Sequence, residues 1–598
     1  MSLQFYDQNI PCLAACPVHT NAGAYVAAIA DGDDLSAYLT ARLPNPFASV
    51  CGRVCAAPCE DACRRGEIDQ PIAIRALKRF VTEKYGVEAG GEEWRKVAAP
   101  TIDDRPQSIG VVGGGPAGMA CAHDLRRLGY QVTVYEATGQ LGGMMKLGIP
   151  EYRLDRDLLT AELNSIVDLG VEVHLNTKLG TDVTFADLQL RHDALFLAIG
   201  ASLGRGLDIE GHQADGVLKA IEFLINVNQG FEVDVGDKVV VIGGGDVAMD
   251  AARTALRRDD YVAARLEDEQ EDTGRSLQEA LDAARSAARS GATNVTVISL
   301  ESEEEMPASP FELEEAQHEA IDFVHRRGPA RILVENGSVV GLETIGVNSV
   351  FDENGRFSPD FNPDDLRTFE ADTVILAVGQ AVDVSVLGGS AVDLSPRGTI
   401  GVADDLATSI DGVWAGGDAA HGPRTLIEAI ADGRRVASAM HERFTGERPQ
   451  DVKGQMVELQ QFHRFDDTYD RWDRLDVPTI ATDRRVGLAE VELGFTEQQA
   501  RCEAARCLRC FANIQLDVNK CVLCALCADV CPLDLIDLVP AEEVGGAAGH
   551  TALTLNEQAC IRCGLCIERC PPKALSMAVW TGVGVPEPAI AGVGGPSI

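Results

Sequence analysis

Cysteine supplies the first chemistry this sequence offers. The chain of 598 residues carries 18 cysteines, six between positions 12 and 63, one at 121 and eleven between 502 and 570. Cys521, Cys524, Cys527 and Cys531 stand in CVLCALCADVCP as C-x-x-C-x-x-C-x-x-x-C-P, and Cys560, Cys563, Cys566 and Cys570 repeat the spacing in CIRCGLCIERCP. Three thiolates at such intervals wrap one corner of a [4Fe–4S] cubane and send the fourth to a neighbouring cube. Cys521, Cys524, Cys527 and Cys570 are accordingly assigned to one cluster, and Cys560, Cys563, Cys566 and Cys531 to the other. Structural zinc would call for isolated C-x-x-C pairs rather than two four-cysteine runs each closed by proline. The chemistry is one-electron transfer.

Glycine supplies the second. SIGVVGGGPAGMACAHDLRRLGYQVTVYE reads as an apolar strand, a tight turn, a helix and a second strand ending in an acid. Gly113, Gly115 and Gly118, with Pro116 and Ala117 between them, let the backbone approach a pyrophosphate at the helix N-terminus, and Glu136 stands where a ribose hydroxyl is held. DKVVVIGGGDVAMDAARTALR repeats the device with Gly243, Gly245 and Ala248 around Asp246 and Val247, so two nucleotides are expected. TSIDGVWAGGDAAHGPRTLIEAIADGRRVA places Gly417 and Asp418 at a strand end and Thr425 before another helix; alone, this reads equally as an N-capping turn. Cys121 reads as a small core residue.

These elements need a multidomain α/β chain to hold them. With 52 basic and 92 acidic residues the net charge is −40, which excludes bare nucleic acid and anionic membrane as partners. A solvated acidic surface accounts for that charge; the alternative is a docking face for a basic partner. The beginning MSLQFYDQNI has no basic-then-apolar leader and no apolar run is long enough for a bilayer span, so a cytoplasmic location is expected. In a reducing compartment cysteines of this number serve metal ligation rather than disulfides.

The residues 513 to 578 resemble a bacterial two-cluster ferredoxin throughout. The stretches CGRVCAAPCEDACRRG, GGGPAGMACAHDL, LGGMMKLGIPEYRL, GGGDVAMDAARTALR, EEEMPAS and WAGGDAAHGPRTLIEAIADGRRVA resemble the small subunit of glutamate synthase and its relatives, among them the N-terminal half of dihydropyrimidine dehydrogenase. The resemblance implies that the first nucleotide fold, closed by Asp418, binds FAD with Gly142 and Gly143 near the flavin ring. It implies that the inserted second fold binds the nicotinamide nucleotide, which gives its hydride to the flavin. NADPH-using relatives carry a tyrosine and paired arginines just before EEMPA, where this chain has Ser299, Leu300 and Glu301. A carboxylate there accepts from a ribose 2′-OH and repels a phosphate, so NAD(H) is expected over NADP(H); the alternative is that Glu301 is a solvated loop charge.

The stretch CEAARCLRC, 502 to 510, is out of frame with the ferredoxin run. In dihydropyrimidine dehydrogenase-like relatives a similar segment stands upstream of the cysteines that here are Cys12 and Cys16, and gives two thiolates to an N-terminal cluster. The resemblance implies that Cys507 and Cys510 fold back to complete a cluster with Cys12 and Cys63. A second N-terminal cluster would take Cys16, Cys55 and Cys59, with Cys51 as candidate fourth ligand, since Lys78, at the position relatives use, is a poor ligand while protonated. Eight such ligands plus eight in the ferredoxin run fill four cubanes, leaving Cys121 and Cys502. Alternatively Cys507 and Cys510 are unligated thiols or a redox C-x-x-C.

The expected architecture is a helical iron–sulfur domain over 1–100, an FAD fold over 101–230 and 395–445 and an inserted nucleotide fold over 231–394. A linker with its cysteine strap follows over 446–512, then an α+β ferredoxin domain over 513–580 and a mobile tail over 581–598. The charged, alanine-rich stretch 259–290 is expected to be a helical excursion or a docking surface for a partner subunit. No general acid or base for a small organic substrate stands out, and hydride transfer between stacked rings needs none. The first expectation is an electron-transfer subunit of a hetero-oligomer linking NAD(H) to ferredoxin or to a partner such as a 2-oxoacid oxidoreductase or a sulfite-reductase-type system. The alternative is a glutamate synthase small subunit. A wire protein with dead nucleotide folds is disfavoured by the intact glycine turns.

Overall fold

A computed structural model of the protein describes residues 8–90, 104–231, 233–257, 292–448, 454–458, 470–485 and 488–582. The expected helical excursion over 259–290, and all of the expected tail beyond residue 582, lie outside these.

The N-terminal part is helical, as its periodicity requires. Helix Ala22–Asp31 starts on Asn21, whose side chain accepts from the Ala24 amide at 3.1 Å, and stops at left-handed Gly32. Helix Ile74–Tyr85 buries Ile74, Leu77, Phe80 and Val81, one apolar stripe at helical spacing. The short helix Ala48–Val54 packs between this helix and the next domain, and carries Cys51.

Two five-stranded parallel sheets follow. In the first the spatial order is 413–415, 194–197, 108–112, 131–135, 172–174, so the strand Val413–Ala415 returns to a sheet begun three hundred residues earlier. Its strands SIGVV and ALFL are near-continuous apolar runs because both faces are covered. One cover is helix Leu426–Thr445, which crosses Pro116–Arg127 so closely that a Cβ on Gly433 would stand 2.1 Å from the Ala117 carbonyl oxygen. The second sheet runs 217–219, 373–376, 238–242, 294–298, 322–324.

The inserted fold is therefore entered at strand Val217–Lys219, ahead of the expected position 231. That strand has three half-buried residues and no alternation, so only the stronger run KVVVI marked the fold in the sequence. A further antiparallel sheet, Arg327–Glu335, Ser338–Phe351 and Phe357–Glu370, hangs from the inserted fold; nothing in the nucleotide-fold reading anticipated it.

The expected linker is also more than a linker. Its strand Gly454–Glu458 pairs with Leu575–Gly582, which pairs in turn with Asn513–Leu516. Strands Ile536–Pro540 and Thr551–Leu555 form the other ferredoxin hairpin. One continuous core contains Tyr25, Leu77 and Val81 from the N-terminal helices, Ala500, Ala504 and Phe511 from the strap, and Ile514, Ile536 and Met577 from the ferredoxin part. Among the described residues no helix is long and apolar enough to cross a membrane.

Candidate functional site

The first glycine turn leaves strand Ser108–Val112 and enters helix Pro116–Arg127, with Gly115 as N-cap and Pro116 in the first turn. A Cβ at Gly113 would meet the Ala198 carbonyl oxygen at 2.2 Å, and one at Gly118 the Gly113 carbonyl oxygen at 2.0 Å, so only glycine closes this turn. Glu136 is buried and accepts from the Gly114 amide at 2.8 Å and from the Thr138 amide at 2.8 Å. Gly142 and Gly143 both have positive φ, and a Cβ on Gly143 would stand 2.9 Å from the Gly115 Cα. Bare backbone thus faces bare backbone, a cradle that a side chain would fill and that fits a dinucleotide pyrophosphate.

Asp418 follows Gly417, whose φ of 62° is left-handed. Burial raises the Asp418 carboxyl to about 6, against the opposing Arg424 amide that donates to it at 3.1 Å. Thr425 caps helix Leu426–Thr445 in a reciprocal box with Glu428. Sequence reading missed Asp432, which is 2 % exposed, accepts from the Gly417 amide at 3.0 Å and pairs with Arg424 at 2.5 Å. Its signal in the sequence is an acid one helical turn after Glu428, set between Ala431 and Gly433 in IEAIADG.

The inserted fold repeats the turn at Gly243, φ 147°, and Gly245, with Ala248 buried behind them. Asp246 accepts from the Ser309 amide at 2.8 Å, which ties the turn to the stretch after EEMPA. The Glu301 carboxylate lies 2.9 Å from where a Cβ on Gly244 would stand.

One cavity of about 920 Å³ joins these parts. Pro116, Met144 and Met145 from the first fold, Asp246 and Val247 from the second, and Asp418 and Thr425 all border it. So does the loop Val54–Ala57 of the N-terminal domain, carrying Cys55. Beside this cavity Arg153 donates to both oxygens of Asp250, at 2.7 and 2.8 Å, and pairs with Glu312 at 2.6 Å, bracing one nucleotide fold against the other.

Fifteen of the sulfurs fall into four groups. Cys16, Cys51, Cys55 and Cys59 surround the buried Lys78 ammonium, whose charge they favour against the opposing effect of burial. The Cys51 side chain hydrogen-bonds Cys55, and this bond, with Lys78 assisting against burial, lowers the Cys55 thiol to about 6. Cys12, Cys63, Cys507 and Cys510 line one small apolar pocket with Val26, Ile72 and Ile74. Burial, then Cys510, pushes the Cys507 thiol up to about 12. Cys531, Cys560, Cys563 and Cys566 line a third pocket with Ile514 and Leu555. Cys527 has Cys521 and Cys524 as electrostatic neighbours, while Cys570 accepts from the Ala574 amide at 3.2 Å.

Neighbouring groups interact in series: Cys12 with Cys59, Cys510 with Cys560, and Cys566 with Cys527. The thiols that burial raises, Cys12, Cys507 and Cys566 among them, are poor thiolates by themselves, and a cationic iron core removes that penalty, so the donor set suits clusters. Among the described residues no three His, Cys, Asp or Glu side chains close on a single metal ion. A cubane makes no such demand, because its ligands are spread over separate irons. Cys121 is buried in the same core as Cys16 and Cys51, and Cys502 is exposed.

The strap reaches its pocket through buried ion pairs. Glu503 is fully buried and accepts from the Ala73 amide at 2.9 Å, the Leu475 amide at 3.0 Å and Arg506 at 2.6 Å. Arg506 continues to Asp69 at 2.8 Å and the Gln70 carbonyl at 2.7 Å. Arg64, beside Cys63, donates to the Gln558 carbonyl at 2.7 Å, joining the N-terminal and ferredoxin parts directly.

Three family models match separate stretches of the chain. Residues 107–433 match the family model for pyridine nucleotide-disulphide oxidoreductases. Residues 6–89 match dihydropyrimidine dehydrogenase domain II with its 4Fe-4S cluster, and residues 520–574 match a 4Fe-4S dicluster domain. The NADP(+)-dependent formate dehydrogenase subunit beta of Moorella thermoacetica is 35% identical over 537 residues, 84% of this chain and 70% of that protein. The NADPH-Fe(3+) oxidoreductase subunit beta of Geobacter sulfurreducens is 33% identical over 551 residues, 85% of this chain and 76% of that one. The glutamate synthase [NADPH] small chain of Halomonas elongata is 28% identical over 450 residues, 72% of this chain and 87% of that one.

Proposed function

The chain belongs to the pyridine nucleotide-disulphide oxidoreductases, and from that membership we propose that it moves electrons between NADH and a ferredoxin or partner oxidoreductase as one subunit of a larger assembly. It is an NAD(P)H-dependent oxidoreductase of the FAD and [4Fe–4S] type. The observation that carries the reading is the single cavity bordered by both glycine turns and by the Cys55 loop.

When bound, FAD accepts hydride from a nicotinamide and the cubanes exchange single electrons. The chain's residues do the rest by placement. Gly113, Gly115, Gly118 and Gly143 open the backbone to the flavin pyrophosphate, Glu136 faces its ribose, and Asp418 and Thr425 close the fold over it. Gly243, Gly245 and Asp246 seat the nicotinamide nucleotide. Lys78, fixed among Cys16, Cys51, Cys55 and Cys59, favours added negative charge at the group nearest the cavity. Cys524, exposed at the other end of the series, is where a partner would approach.

We take the ligand sets to be Cys16, Cys51, Cys55 and Cys59; Cys12, Cys63, Cys507 and Cys510; Cys531, Cys560, Cys563 and Cys566; and Cys521, Cys524, Cys527 and Cys570. Glu301 favours NADH, because its carboxylate sits against the turn that holds the adenosine half and would repel a 2′-phosphate. The relatives named above carry NADP(+) or NADPH in their names, so this preference would set the chain apart. Protein reconstituted anaerobically with FAD, iron and sulfide should reduce a viologen dye with NADH; no turnover with either nucleotide would sink the reading. A higher kcat/KM with NADPH would reverse the nucleotide preference alone.

A further inference from the structure

Three charged side chains share one corner of the inserted fold, where strand Asn294–Ile298 stops beside the Gly243–Gly245 turn. Glu301 reaches back to the turn, as described. The neighbouring strand Asp322–Val324 leads into His325 and Arg326. His325 Nδ1 lies 3.1 Å from Ser299 Oγ, and the Arg326 amide donates to the Glu301 carbonyl at 3.1 Å. The Arg326 backbone is left-handed, φ 57°, which bends the chain so that this residue follows the edge of the nucleotide corner. Its guanidinium is drawn onto Glu305, 2.9 Å away, while Glu305 also accepts from the Ser302 amide at 3.2 Å. Both side chains stay over a third open to solvent, at 35% and 41% for Arg326 and Glu305, so neither is locked in the core.

A dinucleotide seated on the glycine turn carries its adenosine ribose to the end of this second strand. NADPH adds a phosphate there, which binds best to a guanidinium fork and poorly beside a carboxylate. The expected arginines are absent from 299–301, but one arginine has entered the same corner from the next strand. We propose that Arg326 is a latent 2′-phosphate ligand which Glu305 holds off the nucleotide, so that Glu301, Glu305 and Arg326 together set the preference for NADH. Glu301 rejects the phosphate and Glu305 occupies the guanidinium that this corner offers to receive it. This inference rests on the NADH reading above, and adds to it the device that maintains the preference.

The test is nucleotide binding by calorimetry to the flavin- and cluster-loaded protein, with NAD⁺ and NADP⁺ as probes. Glu305→Gln keeps the reciprocal cap with Ser302, which glutamine serves as well as glutamate. It should raise the NADP⁺-to-NAD⁺ affinity ratio roughly tenfold, the scale of one charge-assisted contact. Adding Arg326→Ala to Glu305→Gln should erase that gain. A ratio that Glu305→Gln leaves unchanged, or a gain that survives Arg326→Ala, overturns the inference whichever nucleotide the unaltered protein prefers. Tighter NADP⁺ than NAD⁺ binding by the unaltered protein instead overturns the NADH reading.

Discussion

The Arg506 guanidinium donates to the Asp69 carboxylate at 2.8 Å across 437 residues of sequence, and the same arginine neutralises Glu503, which is fully buried. Removing one partner of such a set leaves a buried charge unmatched, which costs about 3–5 kcal/mol. Arg506→Ala should lower unfolding free energy in urea by that order. A loss below about 1 kcal/mol, the worth of a surface pair, would show that the strap is not fastened there.

Cys507→Ser and Cys510→Ser should each remove about four irons per chain and leave the ferredoxin-type signal in place. Iron and sulfide analysis of anaerobically purified variants decides it. Undiminished iron would mean that these thiols ligate nothing.

Gly118→Ala should abolish stable flavin binding, because the new methyl has to occupy space 2.0 Å from the Gly113 carbonyl oxygen. Gly433→Ala should do so through the helix behind it, where the clash is with the Ala117 carbonyl oxygen at 2.1 Å. The readout is the flavin-to-protein absorbance ratio after desalting, and a wild-type ratio in both variants refutes the assignment of this turn.

Glu162 is buried, accepts from the Ser49 and Val50 amides at 2.7 and 3.0 Å, and is pushed by burial up to about 7 from its ordinary 4.5. Below about pH 4.5 the carboxyl is protonated in folded and unfolded chains alike. Between 4.5 and 7 the unfolded chain releases a proton that the folded chain keeps, so stability falls through this window and levels off above it. The drop is roughly 3 kcal/mol. Glu162→Gln should remove that component from the pH profile of Tm; a profile of unchanged slope would place the carboxyl's titration elsewhere.

Chemistry with fixed local spacing was legible in the sequence. The two C-x-x-C-x-x-C-x-x-x-C-P runs and the two glycine turns declare themselves within a dozen residues each, because ligand geometry and close backbone approach dictate both residue type and interval. What joins distant segments was not legible. Strand Val217–Lys219 has too few residues to show a period, and Gly454–Glu458 is a strand only because Leu575–Gly582 lies beside it. The Arg153–Asp250–Glu312 brace and the Glu503–Arg506–Asp69 set look like ordinary surface charges until the fold buries them. Arg326 was not legible for the same reason, since only the pairing of strand Asp322–Val324 with Asn294–Ile298 brings it beside Glu301.

The shared core of the N-terminal helices, the strap and the ferredoxin strands imposes an order on biosynthesis. Helices Ala22–Asp31 and Ile74–Tyr85 leave the ribosome early with an apolar face that stays uncovered until residues 497–514 emerge. A prematurely terminated product therefore presents a greasy, open domain to chaperones and proteases, while a finished one seals it.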